Sequence, residues 1–169
     1  MTQILYILCG LPYSGKTTLA NELVRRFGFK TASVDDIMDE KEIDSDTMSQ
    51  EDWNFVYSET YDRLKKTLGQ GFSVVFDMGH LKLSERETSR QIAEKYHVPH
   101  KLIYINISPE EIRRRRTQNE ITKERGQLSD KAMQNALSQF QEPISTESPT
   151  IYNQSMDLES WIKINILEA

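Results

Sequence analysis

The chain has 169 residues, which is enough for one domain with a hydrophobic core and too few for two comfortable ones. Hydrophobic residues make up 37% and charged residues 28%, with no apolar run near the roughly 18 residues of a membrane span and no basic start typical of a signal peptide. The net charge of −5 disfavours a dedicated nucleic-acid binder, and the single cysteine, Cys9, excludes an intrachain disulfide. We expect one cytoplasmic domain over residues 1–169, a monomer or homodimer with no membrane partner.

Short apolar runs, typical of buried strands, alternate with stretches whose apolar residues recur at helical spacing. In chain order the predicted elements are a strand at 4–9, a helix at 16–27, a strand at 30–34, a helix at 50–71, a strand at 72–77, a helix at 84–96, a strand at 100–108, and helices at 109–118 and 129–141 before a strand at 150–154. This alternation predicts an α/β fold with a parallel sheet and helices on both faces. The carboxyl ends of the strands then share one edge, where such sheets bind ligands.

Two polar stretches are expected to lie outside regular structure. The acidic run from Asp35 to Asp52 is typical of a solvated loop, and the polar residues 119–128 are expected to loop out. Ser84 and Glu87 have the spacing of a capping box, which predicts a helix start there.

The first strand runs into a phosphate-binding pattern, G-x-x-x-x-G-K-[ST], at residues 10–17. Its two glycines allow the backbone to approach a phosphate closely, and its N–H groups form an anion nest. Lys16 is expected to reach the β- and γ-phosphates of a nucleotide, and the Thr17 hydroxyl to bind Mg²⁺. The absence of the N-K-x-D pattern favours ATP over GTP. The predicted ATP-binding residues are Gly10, Leu11, Pro12, Tyr13, Ser14, Gly15, Lys16, Thr17 and Thr18.

Carboxylates follow two of the predicted strands at the same edge of the sheet. A kinase needs one carboxylate to orient an acceptor hydroxyl, and Asp35 is the candidate. Asp77 ends the next strand, where it is a candidate ligand of Mg²⁺. For each of them, and for Asp36, capping of a turn or helix is the other interpretation.

Cations that could offset phosphoryl charge are concentrated late in the chain. Residues 113–116 are four consecutive arginines, which a helix spreads around its circumference, so that only one or two can face the phosphates. Arg125 is a further candidate, acting from a mobile lid. Tyr13 is expected either to cap the loop or to stack on a ligand. His80 is interpreted as a plain loop histidine in preference to a residue that contacts the acceptor. Cys9 is interpreted as a small buried residue.

Taken together, the segments GLPYSGKTT, SVDD, VVFDMGHL, YINISPEEIRRRR and QFQEP resemble the small P-loop kinase-like ATPases known as AAA-domain predicted kinases. This group is similar to the kinase domain of polynucleotide kinases, and more distantly to zeta toxins, chloramphenicol phosphotransferases and gluconate kinases. The resemblance covers residues 3–155. It implies a three-layer P-loop NTPase fold whose five-stranded parallel sheet has the order 2-3-1-4-5.

By position, the resemblance implies that Lys16 and Thr17 serve ATP and Mg²⁺, that Asp35 faces the acceptor, and that Arg115 or Arg116 belongs to the lid. Three residues depart from the relatives. Met38 stands where polynucleotide kinases have an arginine for the acceptor phosphate, which disfavours a nucleic-acid end as substrate. Tyr13 stands in place of a glycine, and Asn119 in place of a second lid arginine.

The main hypothesis is an ATP- and Mg²⁺-dependent phosphotransferase that moves the γ-phosphoryl group to a hydroxyl of a small molecule or nucleotide. Its catalytic residues would be Lys16, Asp35, Arg115 and Arg116, with acceptor and lid segments at about 36–60 and 113–130. An acidic acceptor region suits a neutral or cationic acceptor better than a polyanion. The alternative is an ATP-binding switch that hydrolyses slowly and acts with a protein partner or, as the loop's likeness to transfer-RNA-associated ATPases suggests, an RNA.

Overall fold

A computed structural model describes residues 2–44, 47–124 and 126–167. The strands are β1 (Leu5–Cys9), β2 (Lys30–Ser33), β3 (Val74–Asp77), β4 (His100–Ile105) and β5 (Thr150–Tyr152). The helices are α1 (Lys16–Phe27), α2 (Val34–Lys41), α3 (Gln50–Gly69), α4 (Leu83–Lys95), α5 (Pro109–Thr122), α6 (Asp130–Gln139) and α7 (Leu158–Ile162), which continues as a π-helical turn, Lys163–Leu167. Among the described residues, no helix combines the length and apolar character needed to cross a bilayer.

The five strands form one parallel sheet in the order β2-β3-β1-β4-β5, which confirms the predicted fold class. All five residues of β1 are buried because helices cover both faces of the sheet. Tyr6 and Leu8 face the layer that contains α1 and α7, whereas Leu5 and Ile7 face the layer that contains α3 and α4. Two apolar clusters therefore hold the central strand in place from opposite sides.

The strand register brings several chain segments to one level at the carboxyl edge. Asp77 at the end of β3 is level with Ser33 at the end of β2 and with Leu8 in β1. On the other side of β1, Cys9 is level with Tyr104. Whatever follows β1, β2 and β3 consequently emerges side by side.

Part of the acidic run is helical, so the predicted strand end at Asp35 and Asp36 and the predicted loop after it were wrong. The chain passes from β2 into α2 without a gap, because the Ser33 hydroxyl accepts a hydrogen bond from the Asp36 amide at 3.0 Å. Both aspartates lie in the first turn of α2, where carboxylates interact favourably with the helix dipole. Acidic residues here start a helix.

Two further boundaries differ from the prediction. Helix α4 begins at Leu83, and Glu85 accepts a hydrogen bond from the Lys82 amide at 3.0 Å, so the predicted Ser84–Glu87 capping pair was wrong by two residues. Helix α5 continues to Thr122, which makes the first part of the predicted loop at 119–128 helical. The extension of α5 matters because it adds Asn119 and Thr122 to the lining of the cavity beside the phosphate-binding loop.

Candidate active site

The loop between β1 and α1 has the backbone of a phosphate cradle. Gly15 has a φ of +109°, a conformation that L side chains rarely adopt. At Gly10, a Cβ atom would lie 2.8 Å from the Ser14 Oγ and 3.0 Å from the Ile105 carbonyl oxygen. The Gly10 amide donates to the Gly79 carbonyl at 3.2 Å, which ties the loop to the segment after β3. Both glycines are therefore required by this geometry.

The polar groups of the loop are arranged around an anion-sized opening. Lys16 lies at the start of α1, and its Nζ donates to the carbonyls of Gly10 and Leu11 at 3.0 Å each. The Ser14 Oγ is buried and has no hydrogen-bond partner among the described residues. Thr17 and Thr18 are exposed at the helix N-terminus. An unpaired buried hydroxyl, a movable ammonium group and a helix N-terminus fit the phosphates of a nucleotide.

The two candidate carboxylates open onto the same cavity as the loop. Asp35 is exposed in the first turn of α2. Asp77 is half-buried at the end of β3, and its Oδ1 accepts from the Gly79 amide at 3.2 Å. Asp36 instead accepts from the Thr31 hydroxyl at 3.0 Å and does not line the cavity, so its carboxylate ties α2 to β2.

Thr17 and Asp77, the two predicted ligands of Mg²⁺, both line the cavity. Within the described ranges, no cluster of three or more His, Cys, Asp or Glu side chains could hold a metal ion alone. That composition fits Mg²⁺, which is commonly bound by one or two protein ligands together with substrate phosphates. The residues present therefore suit Mg²⁺ that arrives with a nucleotide.

The arginines of α5 have separate partners. Arg115 donates to the loop carbonyls of Ser14 and Tyr13, at 2.7 and 3.2 Å, and is paired with Glu111 at 2.8 Å. Hydrogen bonds from Arg114 and then from Arg115 lower the pKa of Glu111 to about 2, so that it is ionised at neutral pH. Of the run, Arg115 is the arginine in direct contact with the phosphate-binding loop.

Arg116 bonds to the segment between α5 and α6. It donates to the Leu128 carbonyl at 3.1 Å and to Asp130 at 2.6 Å, which ties α5 to the start of α6. It does not line the cavity, so its predicted catalytic contact has no support in this geometry. The other lid candidate, Arg125, lies outside the described residues.

Tyr13 connects the loop to the segment between α5 and α6. Its φ is +64°, an unusual conformation for a residue other than glycine, and only 5% of the residue is exposed. Its hydroxyl accepts a hydrogen bond from the Leu128 amide at 3.1 Å. The peptide group at Leu128 is thus held by Tyr13 on one side and by Arg116 on the other. Tyr13 also lines the cavity, so its two predicted roles, capping of the loop and stacking on a ligand, both stay predictions.

Beneath the cavity, His80 and Ser89 form a buried polar cluster with the backbone of β1. His80 is fully buried: its Nδ1 donates to the Leu8 carbonyl at 2.8 Å, so its Nε2 accepts from the Ser89 hydroxyl at 2.9 Å. Burial lowers the pKa of His80 to about 3 and raises that of Cys9 to about 11, which leaves both groups neutral. His80 lies in the loop after β3, as predicted, but its ring is buried in the core and does not line the cavity.

The cavity has a volume of about 770 Å³ and extends from the loop in two directions. Toward α2 and α3 it is lined by Asp35, Trp53 and Tyr57. Toward α5 and the chain's end it is lined by residues that the sequence analysis did not single out: Asn21, Gln118, Gln154 and Leu158. Gln154 follows β5 by two residues, so the rule that ligands bind beyond strand ends could have identified it.

A phosphate-binding loop that joins β1 to α1 on a parallel sheet of order 2-3-1-4-5 defines a P-loop nucleotide-binding protein of the α/β class. A family model described as an AAA domain matches residues 5–143, and the chain belongs to that family. No curated protein matches the chain.

Solved structures share the fold. A sugar kinase from Janibacter has a TM-score of 0.67 at 18% identity, over 99% of this chain and 94% of that one. Kti12 of Chaetomium thermophilum, solved with ADP-AlF3, has a TM-score of 0.70 at 18% identity over 95% and 96%. The APS kinase CysC of Mycobacterium tuberculosis, solved with AMPPNP and APS, has a TM-score of 0.67 at 16% identity over 99% and 98%. With the family match, these similarities confirm the resemblance to P-loop kinase-like ATPases.

Proposed function

We propose that this protein is an ATP- and Mg²⁺-dependent phosphotransferase that moves the γ-phosphoryl group of ATP to a hydroxyl of a small molecule or nucleotide. One observation carries the proposal: Lys16, Asp35, Asp77 and Arg115, which come from four separate elements, line a single cavity at the carboxyl edge of the sheet. A nucleotide-binding site alone does not require an exposed carboxylate across the cavity from the loop. A kinase does, because the acceptor hydroxyl must be oriented and deprotonated.

Each residue has a role that follows from its position. Lys16 would exchange its two loop carbonyls for phosphate oxygens, and Arg115 would leave the Ser14 carbonyl for the transferring phosphoryl group. Asp35 would accept the proton of the acceptor hydroxyl. Thr17 and Asp77 would hold Mg²⁺, which when bound supplies neutralisation of phosphate charge.

Two segments would complete the site. The segment at 36–60, which includes most of α2 and the start of α3, would form the acceptor-binding region through its two side chains that line the cavity, Trp53 and Tyr57. Residues 113–130 would form the lid, which the hydrogen bonds of Arg115 to the Ser14 carbonyl and of the Leu128 amide to the Tyr13 hydroxyl support. Arg116 would act by holding the lid to α6, and Arg125 remains a candidate lid cation.

The test is ATP turnover with Mg²⁺ alone and against hydroxyl acceptors: nucleosides, 5′-hydroxyl oligonucleotides, sugars, and aminoglycoside or phenicol antibiotics. Asp35→Asn is expected to reduce acceptor phosphorylation about a hundredfold or more while ATP binding is retained. Asp39→Asn is the matched control, since Asp39 is an exposed aspartate one turn along α2 that does not line the cavity. Lys16→Ala should abolish turnover. Equal losses in the two aspartate variants would contradict the assigned role.

A second candidate function is an ATP-dependent switch that acts with a protein or RNA partner. The observation in its favour is that hydrogen bonds join the loop to the lid. Arg115 donates to the Tyr13 carbonyl, and the Tyr13 hydroxyl accepts from the Leu128 amide. Occupancy of the loop would therefore bias the lid. Slow turnover that no acceptor changes, and that Asp35→Asn leaves intact, would favour this function over phosphoryl transfer.

A further inference from the structure

The side of the cavity toward α2 and α3, here called the acceptor wall, consists of Asp35, Trp53, Tyr57, Met78 and Leu81. We infer that it binds a phosphate-free acceptor that bears a flat ring in addition to its hydroxyl group. The inference deepens the proposed function and rests on it. Two independent properties of the wall support it: the accessibility of its aromatic rings and the absence of a positive charge among its described residues.

The aromatic rings of the wall are not required by the core. Trp53 and Tyr57 lie one turn apart on α3 with ring centroids 5.7 Å apart and planes tilted by 31°. Both are half-buried, whereas the residues of α3 that pack on the sheet, such as Val56 and Leu64, are fully buried. Ring faces left accessible in a cavity favour stacking with a planar ligand. Burial, followed by Glu85 and Tyr61, raises the pKa of Tyr57 to about 12, so its hydroxyl adds no charge.

Every described cation that lines the cavity belongs to the nucleotide side. Lys16 is held by loop carbonyls, and Arg114 and Arg115 are both paired with Glu111. The nearby cations of α2 and α3 do not line the cavity: Lys41 lies over the Phe55 ring at 6.0 Å, and Arg63 is paired with Glu40.

The acceptor wall itself contributes one charged group, the Asp35 carboxylate. A phosphate group on the acceptor would carry about −1.5 to −2 at neutral pH. It would lie against this carboxylate without a counter-cation from the described residues of the wall, and burying an unpaired charge is unfavourable. We therefore expect phosphorylated acceptors to bind more weakly than phosphate-free ones.

Binding can be measured without any phosphoryl transfer, from the fluorescence of Trp53. The other tryptophan, Trp161, is 5% exposed and supplies a constant background. The probes are thymidine, thymidine 3′-monophosphate, 2-deoxyribose and phenyl glucoside. We expect thymidine and phenyl glucoside to quench Trp53 at millimolar concentration. Thymidine 3′-monophosphate, and 2-deoxyribose, which has no flat ring, should bind at least tenfold more weakly.

Variants identify the wall as the binding surface. Tyr57→Leu should weaken binding of thymidine at least tenfold, whereas Phe55→Leu should leave it unchanged, because Phe55 is an exposed ring of the same helix that does not line the cavity. Neither variant should change the affinity for ATP. Met78→Lys, which adds a cation to the wall, should bring the affinity for thymidine 3′-monophosphate up to that for thymidine.

A second measurement tests the charge of the wall without a ligand. After normalisation to a free tryptophan amide, caesium should quench Trp53 more than iodide does, and Met78→Lys should reverse that order. Stronger quenching by iodide in the unmodified protein would overturn the inference.

Parallel assays of phosphoryl transfer separate the inference from the proposed function. If thymidine or phenyl glucoside binds at the wall but no acceptor is phosphorylated, the proposed function fails and the binding preference stands. If thymidine 3′-monophosphate is phosphorylated with a kcat/KM equal to or above that of thymidine, the inference fails and the proposed function stands. If neither thymidine nor phenyl glucoside binds, the inference is also overturned.

Discussion

Replacement of Glu147 by glutamine tests the buried ion pair beneath the candidate site. Arg86 is 1% exposed and Glu147 3% exposed, and two hydrogen bonds of 2.8 and 3.0 Å join them. Arg86 also donates to the His80 carbonyl at 3.0 Å, in the segment that follows Asp77. Glu147→Gln keeps the shape of the side chain and removes its charge, which leaves the buried guanidinium uncompensated.

The size of the effect follows from the pKa of Glu147. Burial acts to raise this pKa, but hydrogen bonds from Arg86, the Ile144 amide and Arg90 outweigh burial and lower it from 4.5 to about 2. At about 1.36 kcal/mol for each pKa unit, ionised Glu147 stabilises the fold by about 3 kcal/mol. Removal of one partner of a buried ion pair typically costs about 3–5 kcal/mol. We expect Glu147→Gln to lower the free energy of unfolding by about 3 kcal/mol.

Urea unfolding at pH 7 measures this loss, as a lower midpoint with an unchanged m-value. Glu110→Gln is the matched control, because its carboxylate pairs with Arg113 on the surface, where it is 75% exposed, and should change stability by less than about 1 kcal/mol. Because the pKa of Glu147 is lowered on folding, its contribution is present above pH 4.5 and is lost as the pH falls toward 2. The variant should therefore lack this part of the acid sensitivity. Equal stability of the Glu147 and Glu110 variants at pH 7 would refute the reasoning.

Three further predictions concern the loop and its support. Gly15→Ala should weaken ATP binding, measured by calorimetry, at least tenfold, because Gly15 has a φ of +109° and a Cβ atom there would lie 3.2 Å from an Arg115 nitrogen. The control is Gly28→Ala, which should leave ATP binding unchanged, since Gly28 has a φ of +67° but its Cβ atom would have nothing within 4 Å. The pKa of His80 falls from 6.5 to about 3 on folding, so between these pH values the unfolded state binds a proton that the folded state does not. The free energy of unfolding should therefore fall by about 1.4 kcal/mol for each pH unit below 6.5. A free energy of unfolding in urea that does not change from pH 7.5 to 5.5 would contradict this. Tyr13→Phe removes the acceptor of the Leu128 amide and should increase proteolysis at residues 123–128 without a loss of helix content by circular dichroism.

The features that sequence reasoning predicted correctly are those with strictly local requirements. The loop at 10–17 needs glycines, a lysine and a hydroxyl at set spacing, so its pattern identifies it without tertiary information. The strands before it and at Val74–Asp77 are apolar runs that only a buried sheet can accommodate. The strand order came from the family resemblance, since no pairing preference in these runs distinguishes one neighbour from another.

The errors arose where local patterns compete or long-range contacts decide. The acidic run was interpreted as solvated, although the Ser33 cap and the two aspartates after it also form a helix-start signal. Arg115 and Arg116 are equivalent by composition. Only the placement of α5 over a loop about a hundred residues earlier selects Arg115. His80 is buried because its ring bonds to the Leu8 carbonyl, 72 residues away, and no local pattern contains that contact.

The composition of the site follows from the register of the sheet. Because β1, β2 and β3 end within one residue of the same level, the segments after them all contribute to the cavity: residues 12–18, Asp35 and Met78. The segment after β5 adds Gln154 in the same way. The segment after β4 is the exception, since the Asn106 amide bonds to the Tyr152 carbonyl at the sheet edge. Helix α5, which follows this segment, instead brings Arg115 to the phosphate-binding loop, where it bonds to the Tyr13 and Ser14 carbonyls. The segments after the strands thus supply one part of the cavity lining, and helix α5 supplies another part that includes Arg115.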